Sequence, residues 1–230
     1  MQLLTTAFCM VLTLGAYHLA KTLNLKYRHP LLNVVLLGAT FVIAALLALG
    51  LPYQAYVPAR SLMTALLGPA TVGLAVPLYR NRDLLRRHAP SILAGIGLGT
   101  LTSVLSAGWL AALVGLPHDI VLSLLPRSVT IPFAVEIVKL HGGSQALASA
   151  FVVATGTLGS VLGATLLTWT GVRDPVARGL ALGTAAHGQG TAMAFAEGPD
   201  QGTMAGLALT LAGITTTLLA PLLIRLLVPA

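Results

Sequence analysis

Long apolar runs separated by short polar gaps dominate the chain, and with their breaks they define eight segments: about 2 to 20, 31 to 50, 57 to 79, 90 to 115, 119 to 140, 146 to 170, 176 to 197 and 203 to 227. Each is close to the roughly 20 residues that a helix needs to cross a bilayer. The pattern predicts an all-α, polytopic membrane bundle forming a single domain over 1–230. The first, second, fourth, sixth and eighth segments read as plain helices. Gly95 and Gly99 in the fourth, and Gly159 and Gly163 in the sixth, have the small-residue spacing that lets helix backbones approach closely.

The other three segments carry residues that break helices. The third holds "LLGPATVGLAVPLYRN", with Gly68, Pro69, Gly73 and Pro77; the fifth holds "LLPRSVTIP", with Pro126 and Pro132 around a charge; the seventh holds "GLALGTAAHGQGTAMAFAEG". Proline removes a backbone donor and clashes with the preceding turn, and glycine lowers helix propensity. Discontinuous or re-entrant helices are therefore expected around 66–79, 124–134 and 183–192. Irregular backbone at membrane depth persists only where protein buries it or where it lines a wet cavity. The third and fifth segments share a leucine pair, a proline and a Val/Thr step before a second proline, a weak internal likeness of the kind found in carriers.

Composition supports the same class. Hydrophobic residues make up 56% and charged residues 8% of the 230, whereas soluble domains carry roughly 25% charged residues. The N-terminal "MQLLTTAFCMVLTLGAYHLA" lacks the positive stretch of a secretory signal and reads as a retained first span. Cys9 is the only cysteine, so intrachain disulfides and Cys/His metal clusters are excluded. The formal charge of +7 sits in short gaps between apolar runs, which points to orientation in a membrane and not to nucleic acid. If all eight segments cross, one set of loops holds Lys21, Lys26, Arg28, Arg80, Arg82, Arg86, Arg87 and Lys139, and the other holds Arg60, Arg173, Arg178 and Arg225. The first set would then be cytoplasmic and both termini outside, and any re-entrant segment would reverse everything after it. The run "RNRDLLRRHAP" reads as a solvated cytoplasmic loop, with anionic lipid as a lesser partner.

Arg127 is the most informative single residue. It falls midway along the fifth segment, where a charged side chain costs roughly 2.5 to 3.5 kcal/mol. Either it forms a buried ion pair, with Glu136 or Glu197, or it coordinates an anion together with Ser128, Thr130 and the free N–H groups of a restarting helix. His187, Gln189 and Thr191 form the second polar cluster, with Thr184 three residues before the histidine. On a continuous helix Thr184, His187 and Thr191 would share a face. They read either as an interhelical hydrogen-bond site or as a substrate site, with His187 as the candidate for proton coupling. Thr71 would line the same cavity or cap a half-helix, and Asn33 would make a structural hydrogen bond or a ligand contact. Glu197 is expected as an end-of-helix acid at the interface. No P-loop, HExxH, G-x-S-x-G or CxxC motif is found, so neither enzyme activity, nor a cofactor, nor a metal is expected.

The blocks "LLGPATVGLAVPLY" (66 to 79), "LLPRSVTIPFAVEIVKLHGG" (124 to 143) and "DPVARGLALGTAAHGQGTAMAFAEG" (174 to 198), in this order, resemble the LrgB/CidB family of antiholin-like and holin-associated membrane proteins. The same domain is similar to the membrane portion of the plastidal glycolate/glycerate translocator. The resemblance implies a multi-pass protein of the bacterial inner membrane with either of two activities. One is carriage of a small monocarboxylate such as glycolate, glycerate, lactate or pyruvate; the other is modulation of murein hydrolase activity and cell lysis. It also implies a homo-oligomer and a smaller holin-like membrane partner. Gln189 departs from the family pattern, which is closer to His, small residue, Gly, Thr, Ala.

Overall fold

The computed structural model describes residues 2–27, 32, 34–66, 69, 72–73 and 75–227, and all regular structure among them is helical. The chain forms two compact units, Met1–Val72 and Gly73–Ala230. In the first, α1 (Gln2–Tyr27), α2 (Val34–Ala48) and α3 (Tyr53–Ala65) pack together. Ala16 of α1 meets Val42 and Leu46 of α2, while Thr13 and Tyr56 join α1 to α3 through a 3.0 Å hydroxyl contact. Gly50, at φ +62, makes the turn between α2 and α3 that L side chains resist. Cys9 is buried and its thiol donates to the Ala55 carbonyl, a packing role.

The second unit contains α4 (Ala75–Arg80), α5 (Arg82–Arg87), α6 (Ala89–Val114), α7 (His118–Leu124), α8 (Ile131–His141), α9 (Gln145–Trp169), α10 (Pro175–Glu197) and α11 (Pro199–Leu227). Only Leu3–Tyr27, α6, α9 and α11 are long and apolar enough to cross a membrane among the described residues, with Val34–Ala48 a shorter apolar helix. Eight crossings are therefore not what the structure supports. The difference lies in the interrupted segments: the fifth is split into α7 and α8, the seventh is folded on itself, and much of 66–79 lies outside the described residues.

The helices α6 and α11 run parallel. Ile92 and Ile96 pack on Met204, Leu207, Ala208 and Ala212 near their starts, and Val104 meets Leu223 further along. The connections require α9 to run the other way. Small residues set these spacings: Gly95 and Gly99 of α6 face Leu180 and Thr184 of α10, and Gly159 and Gly163 of α9 face Ala186 and Leu182. The outward faces are leucines at four-residue spacing, Leu158, Leu162 and Leu166 on α9 and Leu218, Leu222 and Leu226 on α11, all exposed. Such stripes facing away from the core are stable against lipid and not against water.

The chain reversals also regroup the basic residues. Arg82, Arg86 and Arg87 precede α6 at the end of the bundle where Leu84 and Leu85 pack near Val176. Arg173 lies at that same end, whereas Lys139 and Arg225 lie at the other. The grouping of Lys139 with Arg80 to Arg87, and of Arg173 with Arg225, assumed straight crossings and is corrected here.

Candidate functional site

The fifth segment turns back in mid-bundle. From α7 the chain passes through 125–130 and returns along α8, so that the Ser144 N–H donates to Ser123 Oγ at 2.8 Å. Twenty-one residues of straight helix would separate these atoms by about 30 Å. Pro126 and Pro132 bracket the break, as expected. Within it, Arg127 Nη1 donates to the Ser103 carbonyl at 2.9 Å, and the Ser103 and Ser128 hydroxyls are 2.5 Å apart. Neither Glu136 nor Glu197 pairs with Arg127: Glu136 is exposed beside Lys139, and Glu197 binds Arg178. Thr130 is the N-cap residue of α8, yet its hydroxyl makes no cap bond and has no protein partner.

The seventh segment reverses within one residue. His187 has φ 42 and ψ −126, the only positive φ outside glycine among the described residues. This is the first central position of a type II′ turn, normally a glycine position, and holding another residue there costs about 1 to 3 kcal/mol. The consequences are visible at both ends. Gly190 sits so close to the Leu182 carbonyl that a Cβ would collide with it. Arg178, near the start of α10, forms a bidentate pair with Glu197, near its end, at 2.6 and 2.7 Å. Nineteen residues of helix would hold them about 28 Å apart. The remaining Arg178 donors reach the Ala164 and Val172 carbonyls and the Thr168 hydroxyl, so all five N–H groups have acceptors. Glu197 does stand at the end of its helix as expected, and because the helix doubles back it is paired there with Arg178.

The tip of this second hairpin is held by α9. His187 is buried, and its Nε2 lies 2.9 Å from the Val152 carbonyl. A carbonyl only accepts, so Nε2 carries the proton in the neutral ring. Gln189 accepts from the Thr157 hydroxyl and donates to the Val153 carbonyl. Both side chains lie over Gly156, where a Cβ would come within 2.5 Å of the imidazole. Thr191 donates to the His187 carbonyl. Thr184 and Thr191 are on opposite arms, so the shared face expected of a continuous helix does not exist. His187 and Gln189 grip a neighbouring helix; they do not line the void described next.

The two reversals enter from opposite ends of the bundle and meet in its middle. Val129 packs on Val152, whose carbonyl binds His187. Between the reversals lies a narrow void walled by the Thr100, Ser103, Ser128, Thr184 and Thr216 side chains with Val104, Leu125, Pro126 and Val129. Of the residues named from sequence, Pro126, Ser128 and Thr184 line it, and Arg127 adjoins it through Ser103. Thr100 and Thr184 are buried with no protein partner for their hydroxyls. Asn33 and Thr71 lie outside the described residues. Thr100, Ser103 and Thr216 escaped sequence reasoning, since a hydroxyl inside an apolar helix ordinarily bonds its own backbone. The Arg178–Glu197 pair escaped because its spacing is meaningful only once the chain reverses.

These features define a helical membrane protein with two opposed re-entrant hairpins. The profile of the LrgB-like family matches residues 13–226, and the chain belongs to that family. It is 33% identical over 215 residues to YwbG of Bacillus subtilis (strain 168), covering 94% of this chain and 96% of that protein. To YxaC of the same organism it is again 33% identical over 215 residues, covering 94% of each. It is 30% identical over 225 residues to the holin-like protein CidB of Staphylococcus epidermidis, with 98% of each chain covered. No solved structure matches the chain significantly.

Proposed function

We propose that the chain is a multi-pass protein of the bacterial inner membrane that acts in holin-like control of cell lysis, without enzyme activity of its own. The name of its CidB relatives supports this cellular role and favours it over any role limited to transport. For the molecular act, we propose binding and passage of a small organic monocarboxylate, of the glycolate, glycerate, lactate or pyruvate class. One observation carries that second reading: two helical breaks reach the middle of the bundle from opposite ends, with Arg127 beside them and no carboxylate paired to it. Helix breaks at the midplane are where carriers place solute and ion. The space between the hairpins is narrow, so anion binding requires them to part. The end bearing Arg80, Arg82, Arg86, Arg87 and Arg173 faces the cytoplasm in this reading, opposite Lys139 and Arg225. A homo-oligomer and a smaller holin-like partner are part of the proposal.

The test is counterflow of labelled glycolate, glycerate, lactate and pyruvate in proteoliposomes, with Arg127→Gln and His187→Ala beside the parent chain. Uptake lost in Arg127→Gln supports carriage; uptake of none of the four, or normal uptake by Arg127→Gln, removes it. Release of a bulky trapped dye supports a pore. Murein hydrolase activity and lysis in cells expressing the same variants test the cellular role separately.

A further inference from the structure

We propose that the hydroxyl-walled void between the two hairpins is a binding site for a monovalent cation of sodium's size. The walls come from the entering arms, not the returning ones: Leu125, Pro126 and Ser128 follow the C-terminus of α7, and Thr184 lies in the last turn before His187. Helix C-termini carry the negative end of the helix dipole, although the Leu124 and Pro126 carbonyls already accept the Arg127 and Val129 N–H groups. Two such ends approach the void from opposite directions. Thr100 and Thr216 complete the wall from α6 and α11, with Ser103 beside Ser128.

The chemistry of the wall selects the ligand. Every polar side chain lining it is a hydroxyl, and none is a carboxylate, so a divalent ion, which takes carboxylate ligands, is disfavoured. The space is too narrow for an organic anion in this conformation. Thr100 at 3% and Thr184 at 7% exposure present hydroxyl oxygens that no protein donor or acceptor satisfies. Buried groups of this kind are expensive unless something pairs with them. A small desolvated cation satisfies several neutral oxygens at once, and unwound backbone with half-helix C-termini is the setting in which membrane proteins hold sodium. The assignment does not depend on what the chain carries, since occupancy is a property of the void alone.

The experiment uses the full chain in detergent, with sodium titrated against choline at constant ionic strength. Bound radiolabelled sodium and the thermal midpoint are both recorded. Saturable binding near one ion per chain is expected, with a rise in midpoint over the same concentration range. Thr184→Val keeps the shape and the methyl contact with Gly99 while removing the oxygen, and binding should weaken roughly tenfold or more. Thr184→Ser should retain it. If Thr184→Val does not yield a monodisperse protein, Thr100→Val on α6 makes the same comparison. Absence of saturable sodium binding, or unchanged affinity in the valine variants, overturns the assignment. Transport of a carboxylate is not measured, so failure here and failure of the carrier reading are separate results.

Discussion

The two re-entrant hairpins reach the same depth by different means. The first, α7 to α8, is broken over 125–130, with prolines that forbid regular helix on either side of Arg127. The second, within α10, reverses at His187 and is forced into an unfavourable backbone conformation by contacts elsewhere. Its arms touch through Gly190 and Leu182, its ends are clamped by Arg178 and Glu197, and its tip is seated on Gly156. A break written in local propensity needs little support from its surroundings. A break imposed by tertiary contacts stores strain and depends on the contacts that hold it.

That contrast makes the clamp the most damaging place to cut. Glu197→Ala leaves Arg178 with 12% side-chain exposure and no counterion, and should cost about 2 to 4 kcal/mol, just under the range for fully buried pairs. Thermal unfolding in detergent measures this; a loss below about 0.5 kcal/mol would place the pair among surface bridges instead. Gly156→Ala comes next. It pushes a methyl into the imidazole and should cost about 1 to 3 kcal/mol by overpacking; an unchanged thermal midpoint would show that the tip is not seated there.

Smaller effects sharpen the comparison. His187→Ala and His187→Gly both lose the bond to the Val152 carbonyl, but only glycine relaxes the positive φ. The glycine variant should therefore be the more stable of the two by about 1 kcal/mol, and a reversed order would deny the strain. At the first hairpin, Arg127→Gln forfeits one bond to a carbonyl and should change stability by no more than about 1 kcal/mol, while abolishing counterflow. Pro126→Ala should be the mildest, within about 1 kcal/mol, because 125–130 is also held by Ser103 and Val104.

Local chemistry explains what was legible in the sequence. Proline and glycine clusters act within a few residues, so breaks near 124–134 and 183–192 and the small-residue faces of α6 and α9 were readable directly. The direction taken by the chain after a break was not. Straight crossing and reversal use the same residues, and only the pairing of Arg178 with Glu197, or of Ser123 with Ser144, separates them. The condition that every segment crosses then decided the grouping of basic residues. At the site, Arg127 and Ser128 stood out because their neighbours are prolines, and His187 because polar groups are rare in such a run. The partners of His187 were hidden, since Val152 and Gly156 contribute a backbone oxygen and an absence of side chain, neither of which marks a sequence.

The clamp on α10 also bears on the order of assembly. A ribosome delivers Pro175–Glu197 before Pro199–Leu227 exists, so the hairpin enters the bilayer while Gly179 and Gly183 still lack the Gln201 and Ala205 backbone against which they close. Until then its tip rests on α9 through Val152 and Gly156, while the face that closes on Gln201 and Ala205 stays open. The last helix is in that sense the keystone of biogenesis: a nascent chain released before it is complete holds a hairpin with one wall missing.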